Sequence, residues 1–396
     1  MNTNPRQAVI LAGGLGTRLL PYTENYPKPM IEINGKPFLS YIIEYLKDNG
    51  LTNILLLTGY KSEKILEYYG NGESLGVSIE YSVGKTDWKT GRRLKRARNK
   101  LHNNFLLLYC DNFCPINLKD LFKFHEKHNS QSIVTVYNNK DFSTKNNMQI
   151  SLNNCVQKYD KFRKSINLNG VDIGFFILQK KMIDDLPPGN YPFETILLPD
   201  LIIKKQLNAF RTDHKYYSIG SIERLPQTEK YLSDRKIIFL DRDGVINRKA
   251  PKAEYINNWS DFEFMDDAVD SLKLLSESGF EIYIITNQAG ISRGKTKLDS
   301  LKKIHENMLL TLSNHGISIT DVYFCPHGWN DNCECRKPKS GMLFQASYEH
   351  YFNLTDSILI GDDVRDISAG EGANCKKCFL VDSENSLLSI VQKIIA

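Results

Sequence analysis

No apolar run in this sequence reaches the length of a membrane span. Its polar start, Met1-Asn2-Thr3-Asn4-Pro5, lacks the basic and hydrophobic regions of a signal peptide. Both absences lead to the expectation of a cytoplasmic protein with no membrane partner. Charge of one sign is scarce too. Against 51 Lys and Arg stand 46 Asp and Glu, and the net +5 suits small anionic substrates better than nucleic acid. Cysteines number eight in 396 residues, and three of them fall within Cys325 to Cys335, beside a histidine. That clustering excludes a disulfide framework and points to a metal site in a reducing compartment. The length suits two or three domains, each with its own core and no need of staples.

The stretch around which the chain is organised is Lys236-Ile-Ile-Phe-Leu-Asp241-Arg-Asp243-Gly-Val-Ile-Asn247. An apolar run ends in two carboxylates one residue apart, which reads as a buried parallel strand with Asp241 and Asp243 at its carboxyl end. Open α/β sheets bind ligands there. One carboxylate can attack phosphorus while the other handles protons, with Mg²⁺ between them. A first strand so far along the chain implies a complete domain before it, and the boundary is placed near Asp234. The expected domains are residues 1–233 and 234–396.

In the first domain, Ala8-Val-Ile-Leu11-Ala12 reads as a buried strand and Gly13-Gly14-Leu-Gly-Thr-Arg18 as a turn whose backbone can approach a phosphate or base. No Gly-Lys-Ser/Thr closes the turn, so it is not a Walker loop. With Pro27-Lys28-Pro29-Met30, the string resembles the sugar-1-phosphate nucleotidyltransferases from about Gln7 to about Leu232. The resemblance implies a Rossmann-like, GT-A-like sheet that binds nucleotide through Leu11, Ala12, Gly13, Gly14, Thr90 and Gly91. It also implies Arg18 and Lys28 as the cations that neutralise the triphosphate while pyrophosphate leaves. Asp111, at the end of Phe105–Tyr109, would bind Mg²⁺. Lys161 (with Lys158 as the alternative), Asp172, Gly174 and Glu194 would hold the sugar phosphate. Eight Lys and Arg between Lys85 and Lys100 form either a solvated helix face or a field that draws in nucleotide. Thr90-Gly-Arg-Arg-Leu-Lys-Arg96 is closest to the form in sugar cytidylyltransferases, which leaves the base open. One departure from the family pattern is Ser218, which stands where the second metal-binding Asp is usual. A hydroxyl is a poor substitute for a carboxylate on Mg²⁺, and Asp213, nearby, could compensate through a shifted loop.

In the second domain, strands ending at Asp241, at Thr286-Asn287-Gln288 and at Gly361-Asp362-Asp363 alternate with helices, as in a parallel sheet. From about Arg235 to Ala396 the chain resembles the haloacid-dehalogenase-like phosphatases. The resemblance implies Asp241 as nucleophile and Asp243 as proton donor and acceptor. Thr286 and Asn287 would contact the phosphoryl group, Lys337 would neutralise it, and Asp362 would complete the Mg²⁺ site with Asp241 and Asp243, supported by Asp366. Cys325, His327, Cys333 and Cys335 make a closed tetrahedral set that suits a structural zinc. The zinc loop, with Arg293-Gly294 and Arg336, resembles a capless branch containing heptose-1,7-bisphosphate 7-phosphatases and histidinol-phosphate phosphatases, and is closer to the former. Arg293 and Arg336 are the expected substrate contacts.

The two resemblances together imply a bifunctional enzyme of nucleotide-activated heptose synthesis. It would remove the C7 phosphate of a heptose bisphosphate and then transfer a nucleotidyl group, GMP before CMP or AMP, to the heptose 1-phosphate. Its partners would be sugar phosphates and NTP. Alternatives keep the chemistry on another sugar or on histidinol phosphate, or make the first domain a nucleotide-sugar sensor. Oligomeric state is not readable.

Overall fold

A computed structural model describes residues 4–128, 132–251 and 254–396, so the first three residues of the polar start lie outside it. The chain divides after Lys230 into two compact units.

The first unit is built on a seven-stranded sheet. Its spatial order is Leu207–Thr212, Ser132–Tyr137, Val171–Gln179, Asn104–Tyr109, Ala8–Ala12, Asn53–Thr58, Ser78–Val83. Val171–Gln179 runs antiparallel to both neighbours and the other pairs are parallel. Ala8–Ala12 is flanked on both sides, so all five residues are buried, as its unbroken apolar run requires. The chain crosses to opposite sides of this strand, which puts a topological switch point just beyond Ala12. Helix Phe38–Asp48 covers the sheet with Phe38, Leu39, Ile42, Ile43 and Leu46, an apolar stripe of helical period. The Val156 strand ends at Tyr159, two residues before Lys161.

The second unit has a five-stranded parallel sheet ordered Ile319–Cys325, Phe280–Asn287, Lys236–Asp241, Ile358–Gly361, Lys377–Leu380. Alternate residues feed two cores. Ile238, Leu240 and Ile284 pack on one face, while Ile237, Phe239 and Ile285 pack on the other. Helix Ala268–Glu277 buries Ala268, Leu272 and Leu275 and stops before Gly279, whose φ of 78° suits a residue without a Cβ. The central strand again carries the switch point, at Asp241. Among the described residues no helix is long and apolar enough to cross a membrane.

Candidate active sites

The second unit gathers its polar side chains in a cleft of about 290 Å³ at the carboxyl ends of the central strands. Asp241, Asp243, Thr286, Asn287, Arg336, Lys337 and Asp362 all line it. Lys337 is only 2% exposed, and its ammonium lies 2.8 Å from Asp241 Oδ1 and 2.7 Å from Asp366 Oδ1. A buried lysine loses solvation, but the two carboxylates outweigh that loss and hold its pKa above the usual value. Asn287, expected on the phosphoryl group, instead clips the lysine's backbone. Its Nδ2 donates to the Lys337 carbonyl and its Oδ1 accepts from the Lys337 amide, both at 3.1 Å. Asn287 therefore sets where Lys337 stands.

The two aspartates are held in opposite ways. Burial pushes Asp241 up; Lys337 opposes the rise, while Asp366 and Asp243 add to it, so its pKa stands above the ordinary carboxylate range. Burial also acts on Asp243, but there the Arg242 guanidinium wins and the pKa is lowered. Arg242 Nη2 donates to both Asp243 oxygens, at 2.8 and 3.0 Å. Asn247, Thr286 and Gln288 donate to the same carboxylate, at 3.1, 3.2 and 2.8 Å. Arg242, 1% exposed, also donates to His305 Nε2 at 3.0 Å. Burial, and then Arg242, push His305 down to about 3, so it is a neutral acceptor. Gln288 and His305 were not among the expected site residues. Gln288 had a usable signal, since it lies two residues beyond Thr286 and so faces the same way.

Asp366 does more than support from outside. It is the N3 residue of a capping box with Asp363. Its Oδ2 accepts from the Asp362 and Asp363 amides at 3.2 and 3.0 Å, while its Oδ1 meets Lys337. Asp241, Asp362 and Asp366 each bring a ligand oxygen to within 4.8 Å of the others, a set that could hold a metal ion. Asp362 Oδ1 is buried without a hydrogen-bond partner, and its Oδ2 meets Lys249 at 2.5 Å. A buried carboxylate oxygen with an unmet lone pair suits a cation. The Asp243 carboxylate stands outside this group because Arg242 draws it away. Gly244, at φ 96°, admits Asp362, since a Cβ there would sit 2.0 Å from Asp362 Oδ2.

Beside the cleft, Cys325, His327, Cys333 and Cys335 converge. Cys325 Sγ lies 3.6 Å from His327 Nδ1 and 3.7 Å from Cys333 Sγ, and His327 Nδ1 lies 3.2 Å from Cys335 Sγ. Ligand bonds of ~2.0–2.3 Å in a tetrahedron put ligand atoms roughly 3.3–3.8 Å apart, close to these separations, so the set fits a closed metal site. Arg336 Nη1 donates to the His327 carbonyl at 3.2 Å. Arg293 does not line the cleft itself; it donates to Tyr255, which does, at 2.9 Å. Cys375 and Cys378 pack against the core residues of this unit and join no metal-ligand group among the described residues.

In the first unit a cleft of about 470 Å³ opens at the switch point, lined by Leu11, Gly13, Gly14, Arg18, Lys28, Thr90 and Asp111 among others. Arg18 is exposed, while Ala12 and Gly91 are buried and not part of the lining. Lys28 Nζ meets Asp111 Oδ2 at 2.5 Å. Gly91 is forced by packing, because a Cβ would fall 2.8 Å from the Tyr191 carbonyl oxygen.

The basic run Lys85–Lys100 divides in the structure. Lys95 donates to the carbonyls of Asp184 and Leu186, and Lys100 pairs with Glu80. Arg93 is 5% exposed and wholly committed to backbone. It donates to the carbonyls of Thr58 at 2.6 Å, Gly13 and Lys85 at 2.8 Å, and Trp88 at 3.0 Å. A Cβ on Gly13, Gly59 or Gly84 would come within 3.0 Å of this guanidinium. Gly13 thus makes room for Arg93, whereas a Cβ on Gly14 would meet only open space. Arg93 was not singled out in the sequence, because a buried arginine inside a basic run has no local signature.

The expected sugar contacts lie apart from this lining. Asp172 accepts from the Gly174 amide at 2.8 Å and is pushed up to about 6 by burial. Gly174, at φ 84°, packs on the Tyr109 ring, which lines the cleft. Glu194, raised by burial, accepts from Thr90 Oγ1 at 3.2 Å. Lys158 and Lys161 are both exposed, Lys161 in a turn that the Asp160 carboxylate organises by accepting from four following amides. Ser218 pairs with Asn112 in a short ribbon, and its hydroxyl accepts from Arg224 at 2.9 Å. The carboxylate of Asp213, the nearby acidic residue, is held by Asn138 and Lys140 at 2.7 and 2.8 Å. Asp111 joins no group of three or more ligand side chains among the described residues.

Comparison with known proteins agrees with this division. The nucleotidyl transferase family model matches residues 7–229, and the polynucleotide kinase 3 phosphatase family model matches residues 236–379. The D-glycero-beta-D-manno-heptose-1,7-bisphosphate 7-phosphatase of Haemophilus influenzae is 39% identical over 152 residues, covering 37% of this chain and 81% of that protein. The D-glycero-alpha-D-manno-heptose-1,7-bisphosphate 7-phosphatase of Photorhabdus laumondii is 38% identical over 169 residues, covering 39% of this chain and 91% of that protein. A Bacillus anthracis crystal structure, described provisionally as a glucose-1-phosphate thymidylyltransferase, aligns with a TM-score of 0.52 at 19% identity. It covers 56% of this chain and 93% of its own and shares the fold. The chain therefore belongs to the nucleotidyl transferase family through its first unit and to the haloacid-dehalogenase-like heptose-1,7-bisphosphate 7-phosphatases through its second, and is a bifunctional enzyme.

Proposed function

We propose that residues 234–396 remove the C7 phosphate from a heptose 1,7-bisphosphate and that residues 1–233 then join the heptose 1-phosphate to a nucleotide, with GTP as the expected donor ahead of CTP and ATP. The observation that carries this reading is the buried Lys337 bridging Asp241 and Asp366 beside the unmet oxygen of Asp362. Relatives named for the alpha and for the beta bisphosphate are about equally similar, so the anomer stays open. The enzyme would work in the cytoplasm, where its sugar-phosphate and NTP substrates are.

In the first reaction Asp241 attacks phosphorus and the bond to the C7 oxygen breaks. Asp243 gives its proton to that oxygen, then takes one from the water that hydrolyses the aspartyl phosphate. The free site is polarised against this step, with Asp241 raised and Asp243 lowered. An arriving phosphate dianion favours the protonated Asp243, and a cation at Asp241 and Asp362 favours the ionised nucleophile. Mg²⁺ at Asp241, Asp362 and the Asp243 carbonyl would supply that charge and polarise the phosphoryl oxygens. Lys337 neutralises the nucleophile and phosphate, and Thr286 donates to a phosphoryl oxygen once released from Asp243. Cys325, His327, Cys333 and Cys335 would hold a zinc that shapes the loop carrying Arg336.

In the second reaction the cleft amides of Gly13 and Gly14 hold nucleotide. Arg18 and Lys28 offset the charge that develops on leaving pyrophosphate. Mg²⁺ would join Asp111, and Lys28 would pass from Asp111 to the triphosphate. Asp172, Gly174, Glu194 and Lys161 hold the sugar phosphate. Incubation of the full chain with heptose 1,7-bisphosphate, Mg²⁺ and each common NTP in turn tests the whole scheme. Phosphate release followed by pyrophosphate with one NTP is expected. Phosphate alone, across a panel of sugar 1-phosphates, would refute the transferase assignment and favour a nucleotide-sugar sensor with Ser218 as its mark.

A further inference from the structure

One aromatic side chain in the phosphatase cleft has no role in the chemistry above. Trp329 lies in the loop between His327 and Cys333, lines the same cleft as Asp241, and is 63% exposed. Arg293 lies 5.1 Å and Arg336 5.5 Å from its ring centroid, both within cation–π range. Each guanidinium is also tied down, Arg293 to the Tyr255 hydroxyl and Arg336 to the His327 carbonyl. An exposed indole fixed in this way is a rigid surface offered to something in the cleft.

The charge around it narrows what that is. Lys337 is paired with Asp241 and Asp366, Arg242 with Asp243, Lys249 with Asp362, and Arg365 with Asp363. Among the described residues, Arg293 and Arg336 are paired with no carboxylate. These two cations stand beside the indole; Arg336 lines the cleft, and Arg293 reaches it through Tyr255. A guanidinium's fork of donors matches phosphate oxygens. The negative face of an indole suits the polarised C–H groups of a sugar.

We propose that Trp329 is the platform that selects a sugar bisphosphate. The sugar ring rests on the indole, and the phosphate that is not cleaved is held by Arg293 and Arg336. The proposal rests on the heptose-bisphosphate reading and deepens it. It also disfavours histidinol phosphate, whose ammonium would meet two guanidiniums.

The test is steady-state phosphatase kinetics of the full chain with the heptose bisphosphate and with p-nitrophenyl phosphate, which has no second anion. Trp329→Ala and Arg293→Gln should each lower the preference for the bisphosphate, as a ratio of kcat/KM values, by about ten-fold or more, chiefly through KM. Trp329→Phe should keep most of it. An unchanged ratio in a folded Trp329→Ala protein would overturn the platform; should that variant not fold, an unchanged ratio in Arg293→Gln would do so. If the wild type prefers a different sugar bisphosphate and these variants lose that preference, the heptose assignment falls and the platform stands. If the wild type prefers no sugar bisphosphate over its monophosphate, both fall.

Discussion

Replacing Arg242 with methionine tests the electrostatic core of the phosphatase site. The guanidinium is 1% exposed and donates to both oxygens of Asp243 and to His305. Methionine fills similar space but leaves the Asp243 carboxylate with Asn247, Thr286 and Gln288 as donors and no cation. Breaking a buried ion pair from one side costs about 3–5 kcal/mol. A unit of this size loses roughly 2–4 °C per kcal/mol, so its transition should fall by about 10 °C or somewhat more. Calorimetry of the full chain reads this, with the second unit's transition recognised by its response to Mg²⁺ and inorganic phosphate. The effect also has a definite pH dependence. In the wild type the lowered Asp243 stabilises the fold above the unfolded carboxylate range, near pH ~4, and that contribution is lost only as pH falls through the lower folded value. In the variant, burial without the cation raises Asp243, so the penalty is full at pH 7.5 and eases as the group protonates on the way to pH 5. The gap between the two proteins should therefore narrow with acid. A shift under about 2 °C, or a gap that is constant between pH 7.5 and 5, would refute the reasoning.

Other perturbations address the remaining assignments. Asp241→Asn should abolish phosphate release and leave pyrophosphate release with heptose 1-phosphate intact; loss of both would contradict independent sites. Lys28→Ala should lower kcat/KM for nucleotidyl transfer by about 10²–10³-fold through lost charge stabilisation, and a change within two-fold would exclude Lys28 from that role. Chelation under native conditions should release about one zinc per chain and expose three further thiols to a thiol reagent. Native protein that carries no metal would count against the Cys325, His327, Cys333 and Cys335 assignment.

What the sequence discloses depends on whether a residue acts through its neighbours in the chain or across the fold. Asp241, Thr286 and Asp362 were legible because each closes an apolar run, and strand ends in a parallel sheet meet at one edge. The metal cluster was legible because its four ligands lie within eleven residues. Asn287 was found, but its hold on Lys337 was not, since nothing local says that its amide faces the Lys337 backbone across fifty residues. Asp366 was underrated because its cap function and its contact with Lys337 use opposite oxygens of one carboxylate, and the sequence placed it only as a support of the Mg²⁺ site. Ser218 was legible as a departure, but the Arg224 that occupies its hydroxyl was not. The basic run hid one member. Six of its eight cations are exposed, as a charged face requires, while the fold turns Arg93 inward among carbonyls.

That inward arginine has an evolutionary consequence. Gly13, Gly59 and Gly84 are far apart in the chain, yet each lacks a side chain where the Arg93 guanidinium passes. Four carbonyls, including that of Gly13 in the nucleotide loop, take their donor from that same group. No one of these positions can drift alone: a larger residue at any glycine displaces the arginine, and a shorter residue at 93 takes a donor from all four carbonyls. Among homologues, then, the four should be inherited as a block, kept together or exchanged together. A lineage that has lost the arginine should be free to fill Gly13, whereas Gly59 and Gly84 stay closed by the Gly13 carbonyl and the Trp88 ring.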